Sequence, residues 1–139
     1  MNQPSIRDFT DLVVYQKAYE KSLEIHCETM KYPKHEQYEL GSQMRRAIKS
    51  ICAIIAEGFG KQNVSKLEFK RFLLMAMGSA DEMRVWARYS FDLGYIDERS
   101  WTDWNKSYSD IAKNAQRPPH QVGLNGLFLS VLSPLSSVL

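Results

Sequence analysis

The stretch SQMRRAIKSICAIIAEGFGK, residues 42–61, decides the fold. Placed on a helix at about 100° per residue, Met44, Ala47, Ile48, Ile51, Ile54, Ile55 and Gly58 fill one broad arc with Leu40. Arg45, Arg46 and Lys49 fall on the opposite side, together with the small Ala53 and Ala56. A helix of this kind cannot bury its apolar face alone. It predicts an α-helix over about 36–59, with Gly58 and Gly60 fitting its end, and partners of the same type around it.

Those partners are found on either side. Upstream, Leu12, Tyr15, Tyr19, Leu23, His26 or Cys27, and Met30 recur at steps of three and four, which predicts a helix over about 11–30. Thr10 or Asp11 is its expected cap, and Tyr32-Pro33 its stop, because a residue before proline avoids helical torsions. Downstream, Phe69, Phe72, Leu73, Ala76, Ala80, Met83, Ala87 and Phe91 give a helix over about 65–93. A second, partial stripe on that segment carries Met75, Trp86 and Leu93. Two apolar faces on one helix imply a second neighbour, which in a small bundle is another subunit. Gly78-Ser79 in mid-helix is read as a close helix contact. After Leu93-Gly94-Tyr95, a last helix starts at Asp97 with the stripe Trp101, Trp104, Tyr108, Ile111 and Ala115, and ends before Pro118. No proline lies between Pro33 and Pro118, and no strand alternation or internal repeat interrupts the pattern. The expected fold is therefore all-α: an antiparallel up-down four-helix bundle over residues 1–117 that assembles into a cyclic oligomer.

Residues 118–139 read differently. After Arg117 no Asp, Glu, Lys or Arg follows, and LNGLFLSVL suggests one short apolar helix near Leu124 to Leu132. The alternative is a disordered tail.

The whole chain of 139 residues fits one domain. A net charge of +2 is too small to imply nucleic acid by itself, so the position of the charges matters. Residues 1–34 and 94–139 are each neutral, so the excess belongs to the two middle helices. There Lys66, Lys70, Arg84 and Arg88 form one narrow stripe, and Arg45, Arg46 and Lys49 share a face. Such cations suit phosphate contacts, which demand position rather than base-reading chemistry. Nearby Glu68, Asp81 and Glu82 offer the competing reading of a salt-bridged, solvated face.

Other chemistry finds little support. His26 reads as a packed histidine, and Glu57 as a structural acid. The Glu-x-x-His pairs of bundle di-iron sites do not occur, and neither do zinc, triad or phosphate-loop spacings. No metal, cofactor or catalytic residue is expected. Two cysteines, Cys27 and Cys52, fit a reducing cytoplasm rather than a disulfide scaffold. The chain opens without a signal-like apolar segment, and no apolar run approaches the roughly 20 residues of a membrane span.

The order of motifs resembles the four-helix proteins encoded by intervening sequences in bacterial 23S ribosomal RNA genes, the S23 or IVS family. The matching residues are FTDLVVYQKA (9–18), Tyr32-Pro33 with Glu36, Tyr38 and Leu40, SQMRRA (42–47), IAEGFGK (55–61), EFKRFLLMAMGSADE (68–82) and LGYI (93–96). Two departures stand out: Ile54 occupies a position where the family usually has asparagine, and LNGLFLSVL follows only after AQRPPHQVG. A frameshifted terminus or an insertion would explain the second. The resemblance implies the bundle fold. A related bundle, the accessory protein of diversity-generating retroelements, forms a five-subunit barrel with a basic surface that binds nucleic acid and a reverse transcriptase. By that analogy the expectation is a non-enzymatic homopentamer. It would bind RNA or DNA through Arg45, Arg46, Lys49, Lys66, Lys70, Arg84 and Arg88, with Ala53, Ala56, Met75, Trp86 and Leu93 at the subunit interface. The rival expectation is a scaffold that docks a partner protein and binds no nucleic acid.

Overall fold

The computed structural model of the chain describes residues 6–115. Four long helices carry it: α1 (Val13–Thr29), α2 (Leu40–Lys61), α3 (Lys66–Asp92) and α4 (Glu98–Ala115). A 3-10 turn, Phe9–Asp11, precedes α1, and a single helical turn, Lys34–Gln37, separates α1 from α2. No strand occurs among the described residues. The expected helix boundaries hold to within a few residues, except that the second helix breaks at Tyr38-Glu39, where Glu39 leaves helical torsions (φ −107°, ψ −94°).

Cross-bundle contacts fix the up-down order. Thr29 meets Arg45 across α1 and α2, Gly58 lies against Phe72 across α2 and α3, and Arg84 bonds Asn105 across α3 and α4. Each contact joins the later part of one helix to the earlier part of the next across a short connection, so all three connections are antiparallel. Lys21 of α1 pairs with Asp103 of α4 and closes the ring of helices. The large Trp104 and Tyr108, both fully buried, fill the centre between them.

Local chemistry explains the helix ends. Ser65 caps α3, its hydroxyl accepting the Glu68 N–H at 3.3 Å. Asp97 does the same for α4, accepting the Ser100 N–H at 2.8 Å; that donation holds the Asp97 carboxyl below its usual range. At the end of α3, Gly94 takes φ +81°, a left-handed torsion that suits glycine. Its N–H reaches the Phe91 carbonyl, and the Tyr95 N–H reaches back to Ser90, which satisfies two terminal carbonyls.

Three sequence expectations need correction. Thr10 and Asp11 do not cap α1; Asp8 and Asp11 cap the preceding 3-10 turn reciprocally, and Leu12 stands at the N-cap of α1 without a side-chain cap bond. The face that α1 buries is Val14, Ala18, Ser22, Ile25 and Thr29, not the stripe of Tyr19, Leu23 and Met30. Small Ala18 and Ser22 permit close approach to α2, and this rotates the larger side chains outward. Gly58 does not end α2 but lies buried within it, where an added Cβ would stand 3.1 Å from the Phe72 Cβ. It is Gly58, not Gly78, that makes the close helix contact; a Cβ at Gly78 would meet nothing within 4 Å.

The α2 arc, by contrast, is buried as its periodicity requires, from Leu40 and Met44 through Ile51 to Ile55 and Gly58. Each fully buried aliphatic side chain contributes roughly 1.5–3 kcal/mol, so this helix anchors the core. Ile54 is buried with the rest, a packing role that needs no amide.

Candidate nucleic-acid and docking surfaces

The seven cations singled out from sequence separate into three structural situations. Arg45 is half-buried and points inward. Its Nη1 donates to Thr29 Oγ1 at 3.1 Å and its Nη2 to the Gln37 carbonyl at 2.6 Å. Thr29 Oγ1 donates in turn to the His26 carbonyl. Gln37 Nε2 donates to the carbonyls of Met30 and Tyr32, both at 2.9 Å. The guanidinium thus ties the α1–α2 connection together. The expectation that Arg45 faces away from the protein is corrected by this network.

Arg84 and Arg88 are engaged on the surface between α3 and α4. Arg84 pairs with Asp81 at 3.3 Å while its Nε donates to Asn105 Oδ1 at 3.0 Å. Arg88 pairs with Asp92 at 2.9 Å and lies 4.9 Å from the centre of the Trp101 ring, which stacks on Phe91. These contacts hold the two guanidinium groups in fixed positions and offset part of their charge. Of the three acids expected to neutralise the stripe, Asp81 does so, Glu68 turns to Arg71 at 3.9 Å, and Glu82 accepts the Trp86 Nε1–H. Asp92 completes the pairing; its spacing of four from Arg88 was the signal for it.

Arg46, Lys49, Lys66 and Lys70 form the third group. Arg46, Lys49 and Lys66 are exposed and Lys70 half-buried. Arg46 donates to the neutral Gln43 Oε1. Among the described residues none of the four meets a carboxylate at ion-pair distance.

The expected interface residues also divide. Ala53 and Ala56 line an open groove of about 370 Å³ between α1 and α2, over the buried Ser22 and Ile48. Tyr15, Tyr19, Leu23 and His26 form one wall, and Cys52 and Lys49 the other. Tyr19 and Leu23 are 49% and 52% exposed, so the stripe misread as the core of α1 lines this groove instead. His26, read as packed, is a half-buried wall residue. Burial pushes the Cys52 thiol up from its ordinary value, against a reactive thiolate. On α3, Met75 and Leu93 are half-exposed, whereas Trp86 packs partly into the core. Glu57 is exposed.

Among the described residues, no group of three or more His, Cys, Asp or Glu side chains converges to hold a metal. No described helix is long and apolar enough to cross a membrane. The calls on residues 118–139 lie outside the described residues.

The structure is similar to a crystal structure of a protein of unknown function from the S23 ribosomal protein family of Bacteroides thetaiotaomicron. The TM-score is 0.64 and the identity 22%, over 87% of this chain and 96% of that one. At that identity the likeness establishes the fold. No curated protein matches the chain. The sequence profile described as 23S rRNA-intervening sequence protein matches residues 10–117, and on that match the chain belongs to the 23S rRNA-intervening sequence protein family.

Proposed function

We propose that this chain is a non-enzymatic, cytoplasmic, self-assembling bundle, a pentamer by analogy, that binds the backbone of structured RNA or DNA through its middle helices. The observation that carries this reading is the set Arg46, Lys49, Lys66 and Lys70, four accessible cations on α2 and α3 with no carboxylate partner among the described residues. Arg84 and Arg88 add fixed guanidinium groups beside Trp101. Phosphate contacts of this kind need no base-specific geometry, and repetition around a ring adds weak contacts into useful avidity.

Binding to a duplex RNA across a salt series tests the proposal. The apparent association constant should fall steeply with salt, on the order of one logarithmic slope unit per phosphate contact. Changing Arg46, Lys66 and Lys70 together to glutamine, outside the α1–α2 groove that Lys49 lines, should flatten the slope and weaken binding at moderate salt, with the oligomer mass unchanged. Absence of binding at low salt would overturn the reading.

The α1–α2 groove favours a second reading, a scaffold that docks a partner protein. Its apolar walls at Tyr19 and Leu23 would give an association that hardly responds to salt.

A further inference from the structure

One long face of α3 has no partner among the described residues. The inner face of this helix, with Leu73, Ala76, Ala80, Met83 and Ala87, is buried. On the opposite side Leu67, Leu74, Val85 and Tyr89 are 77%, 43%, 50% and 54% exposed. They share that outward face with Gly78, which is also exposed. Glycine in mid-helix weakens a helix. A Cβ at Gly78 would meet nothing within 4 Å, so no contact among the described residues calls for its small size. Charged side chains flank the strip in blocks of opposite sign. Lys70 and Arg71 lie in its first half, Asp81 and Glu82 in its second, and all but the half-buried Lys70 are exposed.

We propose that this face docks the same face of a second copy, with the two α3 helices antiparallel about a two-fold axis at the level of residue 76. The charge pattern points to this occupant, because it is complementary to itself in reverse. In that register Leu67 meets the partner's Val85. Leu74 meets the partner's Gly78, whose missing side chain leaves room for it. On one side of the strip Arg71 meets the partner's Glu82, and on the other Lys70 meets the partner's Asp81. The two-fold axis makes each pairing occur twice, along about 27 Å of helix at 1.5 Å per residue. Asp81 and Glu82 each use one carboxylate oxygen within the chain, towards Arg84 and the Trp86 Nε1–H, and keep the other for the partner's cation. Arg71 is held only loosely, by Glu68 at 3.9 Å. A parallel pair would instead set cations against cations and acids against acids. A slip of one turn would set Arg71 against Val85 and Glu82 against Leu74. One helix face of this length falls at the low end of specific interfaces, below about 1,200 Å². The contact is therefore weak, forms at high concentration, and leaves the assembly of the dilute chain unchanged. Arg46, Lys49 and Lys66 take no part in these pairings.

Cysteine trapping in the full chain tests the register. With Cys27→Ser and Cys52→Ser as background, Leu67→Cys and Val85→Cys are made in separate chains. Either variant alone should scarcely form disulfide dimers, because its two copies of the new thiol lie about 27 Å apart along the helices, far beyond disulfide reach. An equimolar mixture should form a dimer joining the two variants at least about tenfold faster. Trapping of the mixture no faster than of either variant alone would overturn the proposal. Faster trapping of Leu67→Cys with itself would also overturn it, by showing a parallel pair. Charge reversal gives an independent readout. Arg71→Glu or Glu82→Arg, introduced into both chains, should slow trapping of the mixture about tenfold, since the pair occurs twice. Both changes together in each chain should restore the original rate. No slowing by the single reversals, or no recovery in the double reversal, would overturn the pairing.

Discussion

Tyr32 shows what single residues do where the α1–α2 connection meets α3. Its hydroxyl donates to Ser90 Oγ at 2.8 Å, and Ser90 Oγ donates to the Trp86 carbonyl at 2.9 Å. The pair joins the α1–α2 connection to α3 beneath Met44. Burial pushes the Tyr32 hydroxyl from 10.0 up to about 12. The folded state therefore holds this proton over a range in which the unfolded chain has lost it. Stability from this group is complete below about pH 10 and declines as pH rises towards 12, by on the order of 2 kcal/mol. Thermal melts between pH 9 and pH 12 should show that decline, and Tyr32→Phe should make it shallower while costing about 1 kcal/mol at neutral pH. An unchanged slope in Tyr32→Phe would show that other groups govern it. Tyr108 is the candidate for the remainder: its hydroxyl is buried without a hydrogen-bond partner among the described residues, and burial raises it as well. Little of this was legible beforehand. The motif Tyr32-Pro33 reads as a helix stop, and nothing local announces that the tyrosine reaches Ser90, 58 residues away. Arg45 was misread for the same reason, because Thr29 and the Gln37 carbonyl become its partners only when α1 and α2 fold together.

Among the helices, legibility depended on how one-sided the pattern was. The α2 arc has bulky aliphatic residues on one side and charges on the other, so its buried face follows from periodicity alone. In α1 two faces compete. The larger side chains of Tyr19 and Leu23 outweigh Ala18 and Ser22 in any hydrophobic tally, yet close approach of helices favours the small ones. The two mid-helix glycines provide a matched test of the same principle. Gly58→Ala must push a methyl group to within 3.1 Å of the Phe72 Cβ, in helices packed against each other along their length. The helix-propensity gain of about 1 kcal/mol is then offset by overpacking of about 1–3 kcal/mol, and the variant should melt at lower temperature. Gly78→Ala meets no atom within 4 Å, so it should raise stability by up to about 1 kcal/mol. Calorimetry on the two variants decides it; a destabilised Gly78→Ala would mean that another copy of the chain packs at Gly78.

Two of the apolar surfaces among the described residues differ in shape: the concave α1–α2 groove lined by Ala53 and Ala56, and the convex α3 surface bearing Met75 and Leu93. Closed rings are built from heterologous contacts, in which one surface of each subunit meets a different surface of the next. The proposed assembly therefore makes a prediction that a symmetric dimer does not. Leu23→Glu disables only the groove, and Met75→Glu disables only the convex surface. Both side chains are about half exposed, so neither change should disturb the core, unlike a change at the partly buried Trp86. In a ring each variant alone should sedimentate as a monomer. Mixed, they should form a dimer and nothing larger, because the intact groove of one can seat the intact convex surface of the other while the remaining two surfaces are disabled. If like surfaces pair instead, each variant alone would remain a dimer through its intact surface, and mixing would not create a new species. Sedimentation velocity on the two variants and their equimolar mixture separates these outcomes. It also fixes how many times the cations Arg46, Lys49, Lys66 and Lys70 are repeated on one particle, which sets the strength of any phosphate binding.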